Sequence, residues 1–254
     1  MFVDFSNKIV LVTGGVRGIG RAIAEDFKRC GANVVVTYVK SDAIAKELSE
    51  KGIIAYKCDV GDREQVKNLA KFVTSKIGDV DILVNNAGVL HRMDFEEYDE
   101  ALFNEMINVN LKGVIYTILE LLPSLKKKKG VIVNVASIAG IGVATERTTY
   151  YAVTKAAVIC LTKRLAYDLS KYGIRVNAVA PGFIETDLTL GGKTPEEAEH
   201  IKTSFANKSL LKTTGKPEDV SKLVLFLASD YAKFITGHTY VIDGGRMDYL
   251  PHGI

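Results

Sequence analysis

Cysteine is scarce: Cys30, Cys58 and Cys160 are the only three in 254 residues, and their spacing matches no metal-ligand set. Two of them fall in apolar or helical stretches, so free, buried thiols in a reducing compartment are expected, and no metal. Long apolar runs are missing too. None approaches the roughly 20 residues that span a bilayer. The opening Met1-Phe2-Val3-Asp4-Phe5-Ser6-Asn7-Lys8 has no basic stretch followed by an apolar one. The expectation is a soluble, cytoplasmic protein with no membrane contact. Excess charge is also lacking, because a net +3 is too small to argue for nucleic acid. The one dense lysine run, Lys126-Lys127-Lys128-Lys129, precedes the strand-like Val131-Ile132-Val133 and reads as a solvated helix end. No Pro/Gly/Ser-rich linker and no internal repeat divides residues 1–254, so a single domain is expected.

What is present is an ordinary globular composition, 47% hydrophobic and 25% charged, in a chain long enough to bury a sizeable core. Short apolar, β-branched runs recur at residues 8–13, 33–38, 54–58, 81–85, 131–135, 174–179 and 239–242, with helical patterns between them. They are continuous rather than alternating, which suits strands covered on both faces by crossover helices. The fold class is therefore α/β, with a seven-stranded parallel sheet and helices on both faces.

The first run ends in Gly14-Gly15-Val16-Arg17-Gly18-Ile19-Gly20 and passes directly into the amphipathic Arg21-Ala22-Ile23-Ala24-Glu25-Asp26-Phe27. Strand, glycine turn and helix in succession make the first unit of a dinucleotide-binding fold. Glycines let the backbone approach a pyrophosphate, and a helix start offers free N–H groups. The second run ends in Thr37-Tyr38-Val39-Lys40-Ser41, with no carboxylate before Asp42. A carboxylate there would bind ribose hydroxyls and repel a 2′-phosphate, whereas Arg17 and Lys40 suit one. NADP(H) is accordingly expected in preference to NAD(H).

Other strand ends carry small or amide residues suited to a ligand groove: Cys58-Asp59-Val60 after the third, Asn85-Asn86-Ala87-Gly88 after the fourth. Asp59 serves equally well as an N-cap for the helix starting near Arg63. Asn110 lies inside a helical stretch, where an amide needs solvent or a specific partner. Ser137 follows the fifth run. Tyr151 and Lys155, four apart on a helix, share one face, and an ammonium beside a phenol favours the phenolate.

With Thr13-Gly14-x-x-x-Gly18-Ile19-Gly20, Asn85-Asn86-Ala87-Gly88, Ser137 and Tyr151-x-x-x-Lys155 in that order, the chain resembles the short-chain dehydrogenase/reductase family. Pro181-Gly182 with Thr186, and Asp243-Gly244-Gly245, extend the likeness over nearly the whole length. The resemblance implies a single-domain Rossmann fold, hydride transfer between a nicotinamide and a carbonyl or alcohol, and a homotetramer. It makes Tyr151 the acid/base and Lys155 its ammonium, which also holds the nicotinamide ribose. Ser137 would orient the substrate oxygen, and Asn110 would hold a water relaying protons to Lys155. The expected cofactor groove comprises Gly14, Arg17, Gly18, Ile19, Gly20, Tyr38, Lys40, Asp59, Val60, Asn86, Ala87 and Gly88. At its nicotinamide end stand Tyr151, Lys155, Pro181, Gly182, Ile184 and Thr186.

One spacing departs from the family. Ser137 and Tyr151 are a residue further apart than the resemblance implies, and Tyr150 stands at the more usual distance. Because Tyr150 is five residues from Lys155, it faces away from the lysine. The extra residue is therefore assigned to the loop 141–149. Residues 187–215, with Gly191-Gly192 and the helix signal Thr194-Pro195-Glu196-Glu197, read as a substrate lid whose apolar members are Leu188, Leu190, Ile201, Phe205 and Leu210. Similarity favours a reductase of 3-oxoacyl thioesters, with Lys126–Lys129 and Lys171 available to an acidic carrier protein. A sugar or polyol dehydrogenase is the alternative, since Thr37-Tyr38-Val39-Lys40 also resembles glucose dehydrogenases. A dinucleotide-binding sensor without turnover is the alternative of another class, disfavoured by the intact acid/base set.

Overall fold

The computed structural model describes residues 3–246; Met1, Phe2 and residues 247–254 of the expected domain lie outside the described residues. Each apolar run forms a strand and each amphipathic stretch a helix. In chain order the elements are β1 (Ile9–Val12), α1 (Gly18–Arg29), β2 (Asn33–Tyr38), α2 (Asp42–Glu50), β3 (Ile54–Lys57), α3 (Arg63–Lys76), β4 (Ile82–Asn85) and α4 (Glu100–Ile107). After them come α5 (Gly113–Lys128), β5 (Val131–Val135), α6 (Thr149–Leu169), β6 (Arg175–Pro181), α7 (Asp187–Leu190), α8 (Pro195–Asn207), α9 (Pro217–Ala228) and β7 (Thr239–Ile242). All seven expected strands are present. They form one sheet in the order β3-β2-β1-β4-β5-β6-β7, parallel throughout.

The order reverses at β1, which lies between β2 and β4. In such sheets the crevice at the reversal, outside the carboxyl ends of the strands, is where ligands sit. Both faces of the sheet are covered, which is why its central strands carry no polar alternation. Val10 and Val12 of β1 pack with Ile23 and Phe27 of α1 and Val220 and Val224 of α9. Ile9 and Leu11 point the other way, to Leu69 and Val73 of α3, Leu121 and Leu125 of α5 and Val158 of α6. Only the edge strands β3 and β7 are substantially exposed.

A line of buried amides and hydroxyls ties β4, β5 and the helices over them. Thr117 Oγ1 donates to Asn85 Oδ1 at 2.6 Å, Asn85 Nδ2 to Asn134 Oδ1 at 2.9 Å, and Asn134 Nδ2 to Thr162 Oγ1 at 2.9 Å. These bonds fix the rotation of α6 over β5, and with it the direction of every side chain near its start.

One reading that the sequence left open is settled, and one needs correction. The cap of α3 is Asp62, whose carboxylate accepts from Glu64 and Gln65 N–H; Asp59 instead accepts from Gly61 N–H at 2.8 Å and lines the main cavity. Asp62, one residue before the helix, is positioned to reach the orphan amides that Asp59 is too far back to meet. Of the three free thiols, only Cys58 is buried, and Cys160 is exposed because it falls on the outer face of α6. Among the described residues no helix is long and apolar enough to cross a membrane.

Candidate active site

A cavity of about 430 Å³ opens along the carboxyl ends of the strands. At one end lies the glycine turn. Gly18 holds φ 52° as α1 begins, and no side chain caps that helix, so its first N–H groups face the cavity. Gly20 is packed too closely for any other residue: a Cβ there would stand 2.4 Å from both Asn86 Nδ2 and the Gly14 carbonyl. Asn86 in turn donates to the carbonyls of Thr13 and Gly14 at 2.9 and 3.1 Å, locking the turn to the end of β4. Thr37, not singled out from the sequence, accepts from Gly14 N–H at 3.0 Å and locks it to β2.

Past the end of β2, Arg17 and Lys40 are exposed and line the cavity with Tyr38. Asp42 is engaged elsewhere. It pairs with Lys57 at 3.3 Å, and the Tyr38 phenol beside it, with Lys57, holds its carboxyl below the usual range. A collision-limited backbone cradle and an uncapped helix start are the features a dinucleotide needs, and the residues present fit a nicotinamide dinucleotide.

Of the residues expected from the sequence, Gly14, Arg17, Gly18, Ile19, Tyr38, Lys40, Asp59, Val60, Asn86, Ala87, Gly88, Ser137, Tyr151, Lys155, Pro181, Gly182, Ile184 and Thr186 all line this one cavity. Gly20 and Asn110 do not. Gly20 is buried behind the turn, for the steric reason given above. Asn110 is fully buried in a π-helical turn, Asn108–Lys112, that joins α4 to α5. Its Oδ1 accepts from Val89 N–H at 2.8 Å, and its Nδ2 donates to the Val89 carbonyl at 2.9 Å and to Thr154 Oγ1 at 3.0 Å. The amide therefore has specific partners. A Cβ on Gly88 would come within 3.3 Å of Asn110 Oδ1 and 3.4 Å of Lys155 Nζ, so both groups stand behind that glycine.

Ser137, Tyr151 and Lys155 meet at the other end. Ser137 closes β5 and caps a short 3₁₀ turn, Ile138–Ile141. That turn lies directly on α6, where a Cβ on Gly140 would be 2.6 Å from the Lys155 carbonyl carbon. Close approach of the turn brings the serine to Tyr151. Lys155 Nζ donates to the Val135 carbonyl at 2.9 Å and lies 5.8 Å from the centre of the Tyr151 ring. Burial dominates the electrostatics. It pushes the Tyr151 phenol up to about 12, against the hydrogen bond with Ser137, and drives the Lys155 ammonium down to about 8. The lowering of the phenol by the lysine that the sequence suggests is not seen here: burial and the Ser137 hydrogen bond set Tyr151, and the ammonium is held on the Val135 carbonyl.

The remaining wall combines Leu188 and Phe205, expected from the sequence as lid residues, with contributors that no motif announces. Leu90, Arg92 and Val143 come from the loops after β4 and β5, Phe183 follows β6, and Leu188 and Phe205 belong to the segment 187–215. Phe183 stacks on Phe205 at 4.2 Å, and the Arg246 guanidinium lies 5.2 Å from the centre of the Phe205 ring. Leu190, Ile201 and Leu210, expected with them, do not line the cavity.

A family model described as enoyl-(acyl carrier protein) reductase matches residues 14–246. The 3-oxoacyl-(acyl-carrier-protein) reductase FabG of Staphylococcus epidermidis is 41% identical over 251 residues, covering 94% of this chain and 98% of that protein. The enzyme of the same name from Thermotoga maritima is 41% identical over 249 residues, with 94% and 97% covered. Among solved structures, the ligand-free aldohexose dehydrogenase of Thermoplasma acidophilum superposes with a TM-score of 0.90 at 32% identity, covering 100% of this chain and 99% of that one.

Proposed function

Since the chain belongs to the short-chain dehydrogenase/reductase family and is a nicotinamide-dependent oxidoreductase acting on CH–OH groups, we propose that it reduces 3-oxoacyl thioesters with NADPH. The observation that carries this reading is one cavity holding the Ser137, Tyr151 and Lys155 side chains at one end and the Arg17 and Lys40 cations at the other. Identity of about 40% with 3-oxoacyl reductases along nearly the whole chain supports the substrate class.

The bound nicotinamide would supply the hydride to the carbonyl carbon, held by the glycine turn, Asn86, Tyr151, Lys155, Ile184 and Thr186. As the C=O π electrons move onto oxygen, the Ser137 hydroxyl donates to it and the Tyr151 phenol gives up its proton. A phenol whose pKa is about 12 keeps that proton across the neutral range and still transfers it readily to an alkoxide, a far stronger base. Such a phenol suits the proton-donating role that reduction requires. The Lys155 ammonium would stabilise the phenolate left behind, and Asn110, behind Gly88 with it, would hold a water that relays protons to Lys155.

Residues 187–215 act as the lid in this reading. Its ends are paired, Glu185 N–H to the Gly215 carbonyl at 2.9 Å and Gly215 N–H to the Phe183 carbonyl at 3.0 Å, while Leu188 and Phe205 face the cavity. A carrier-bound substrate rests on the 3-oxoacyl reductase relatives alone, because the lysines expected to meet an acidic carrier, Lys126–Lys129 and Lys171, precede β5 and β6 and so lie at the amino ends of the strands, across the sheet from the cavity. A cytoplasmic homotetramer belongs to the same proposal. The second reading, aldose oxidation, rests on the aldohexose dehydrogenase neighbour and the Thr37-Tyr38-Val39-Lys40 stretch.

Initial rates discriminate them. An acetoacetyl thioester with NADPH should turn over, faster than with NADH; a crotonyl thioester should not; and NADP-linked oxidation of an aldose and polyol panel should be slow. Good aldose rates with none on the thioester reject the leading reading. An equal rate with NADH rejects the cofactor preference.

A further inference from the structure

The extra residue between Ser137 and Tyr151 has a visible destination. Arg147 stands at φ 62°, a left-handed conformation that a bulky residue keeps only where its surroundings enforce it. Its carbonyl accepts from Met93 N–H at 3.1 Å, and its guanidinium pairs with Asp94 at 3.1 Å and Glu97 at 3.7 Å. The neighbouring Glu146 carbonyl accepts from Arg92 Nη1 at 3.0 Å. Tyr150 completes the row. Its phenol donates to the Phe95 carbonyl at 2.8 Å, and its ring lies parallel to that of Phe95 at 5.8 Å, with Tyr98 and Phe103 at 5.2 and 5.4 Å.

These contacts join loop 89–99 to loop 141–149 along the substrate end of the cavity, where Leu90 and Arg92 of the first loop and Val143 and Thr145 of the second form the wall. Each ion pair is exposed and weak by itself. Together with a backbone hydrogen bond and the stack of Tyr150, at the start of α6, on Phe95, they tie loop 89–99 to the segment that leads into α6. Tyr150 is thereby committed to a carbonyl away from Ser137, while Tyr151 keeps the serine.

We propose that Arg147 and Tyr150 form a latch that holds loop 89–99 as a fixed wall and so limits the size of the acyl group the cavity accepts. Both are positioning residues, and the proposal rests on the substrate reading above. A loosened latch lets the wall retreat from a small substrate and make room for a large one.

Two variants test it. Arg147→Gly keeps the left-handed backbone, which glycine adopts freely, and removes both ion pairs. Tyr150→Phe keeps the stack and removes the bond to Phe95. With thermal midpoints as a folding control, kcat and KM are measured at saturating NADPH for acetoacetyl and for a bulkier, branched 3-oxoacyl thioester. For acetoacetyl, KM should rise about threefold in each variant, with kcat and the NADPH Kd unchanged. The preference for the smaller acyl group should narrow. Unchanged KM and unchanged preference in both variants overturn the latch, as does a loss of kcat at constant KM in Tyr150→Phe, which would return the acid/base role to Tyr150. Should the wild-type protein turn over neither thioester, the substrate reading fails, and the same comparison on a small and a large aldose still tests the latch.

Discussion

Tyr151 and Lys155 are both pulled towards their neutral forms by burial, and this sets the pH behaviour of the site. The ammonium ordinarily titrates near 10.5 and here near 8. Reductive kcat/KM, which reports the free enzyme, should be flat at neutral pH and fall above about 8 as that charge is lost. Lys155→Met should lower the plateau and remove this limb; a wild-type profile flat to pH 10 would refute it. Stability moves the other way. Between about 8 and 10.5 the unfolded chain holds a proton on Lys155 that the folded one has released, so this group adds stability as pH rises through that window. Tyr151 opposes it higher up, because the folded state keeps the phenol proton between 10 and about 12.

Helix α6 carries both side chains, and what aims it is polar. Thr154 and Thr162, eight residues apart on its buried face, accept from Asn110 and Asn134 at 3.0 and 2.9 Å. Removing one hydroxyl strands an amide N–H in the core. Thr162→Val should therefore lower unfolding stability by about 1–3 kcal/mol, read as a reduced urea midpoint at unchanged slope. No change in midpoint would mean that the amide finds another partner. The strands themselves were legible as apolar runs, to within two residues at either end. The cap of α3 was not, because two aspartates three apart both suit an N-cap and only the backbone path shows which one reaches the first amides.

At the scale of the whole molecule, two separate surfaces expose large apolar side chains. Leu119, Val153 and Tyr167 lie on α5 and α6; Tyr231, fully exposed Phe234 and Val241 lie on and before β7. Two faces of this kind suit the proposed tetramer, one interface each. Light scattering should give four chain masses, and Phe234→Ser with Tyr231→Ser should leave dimers; a monomeric wild-type protein would reject this. Sequence alone determined the parallel sheet and the glycine turn, each of which depends on periodicity or spacing within a few residues that the chain states locally. Resemblance, carried by motifs in order along the chain, pointed to Ser137, Tyr151 and Lys155, and the structure brings them into one cavity. Tertiary structure decided the rest: that Asp59 faces the cavity, that Thr37 and Thr154 anchor the site, and that burial sets the phenol. It also decided that Tyr150 binds loop 89–99 and leaves Ser137 to Tyr151. Those depend on which distant segments the sheet order brings together and how much water they exclude, and no local pattern encodes either.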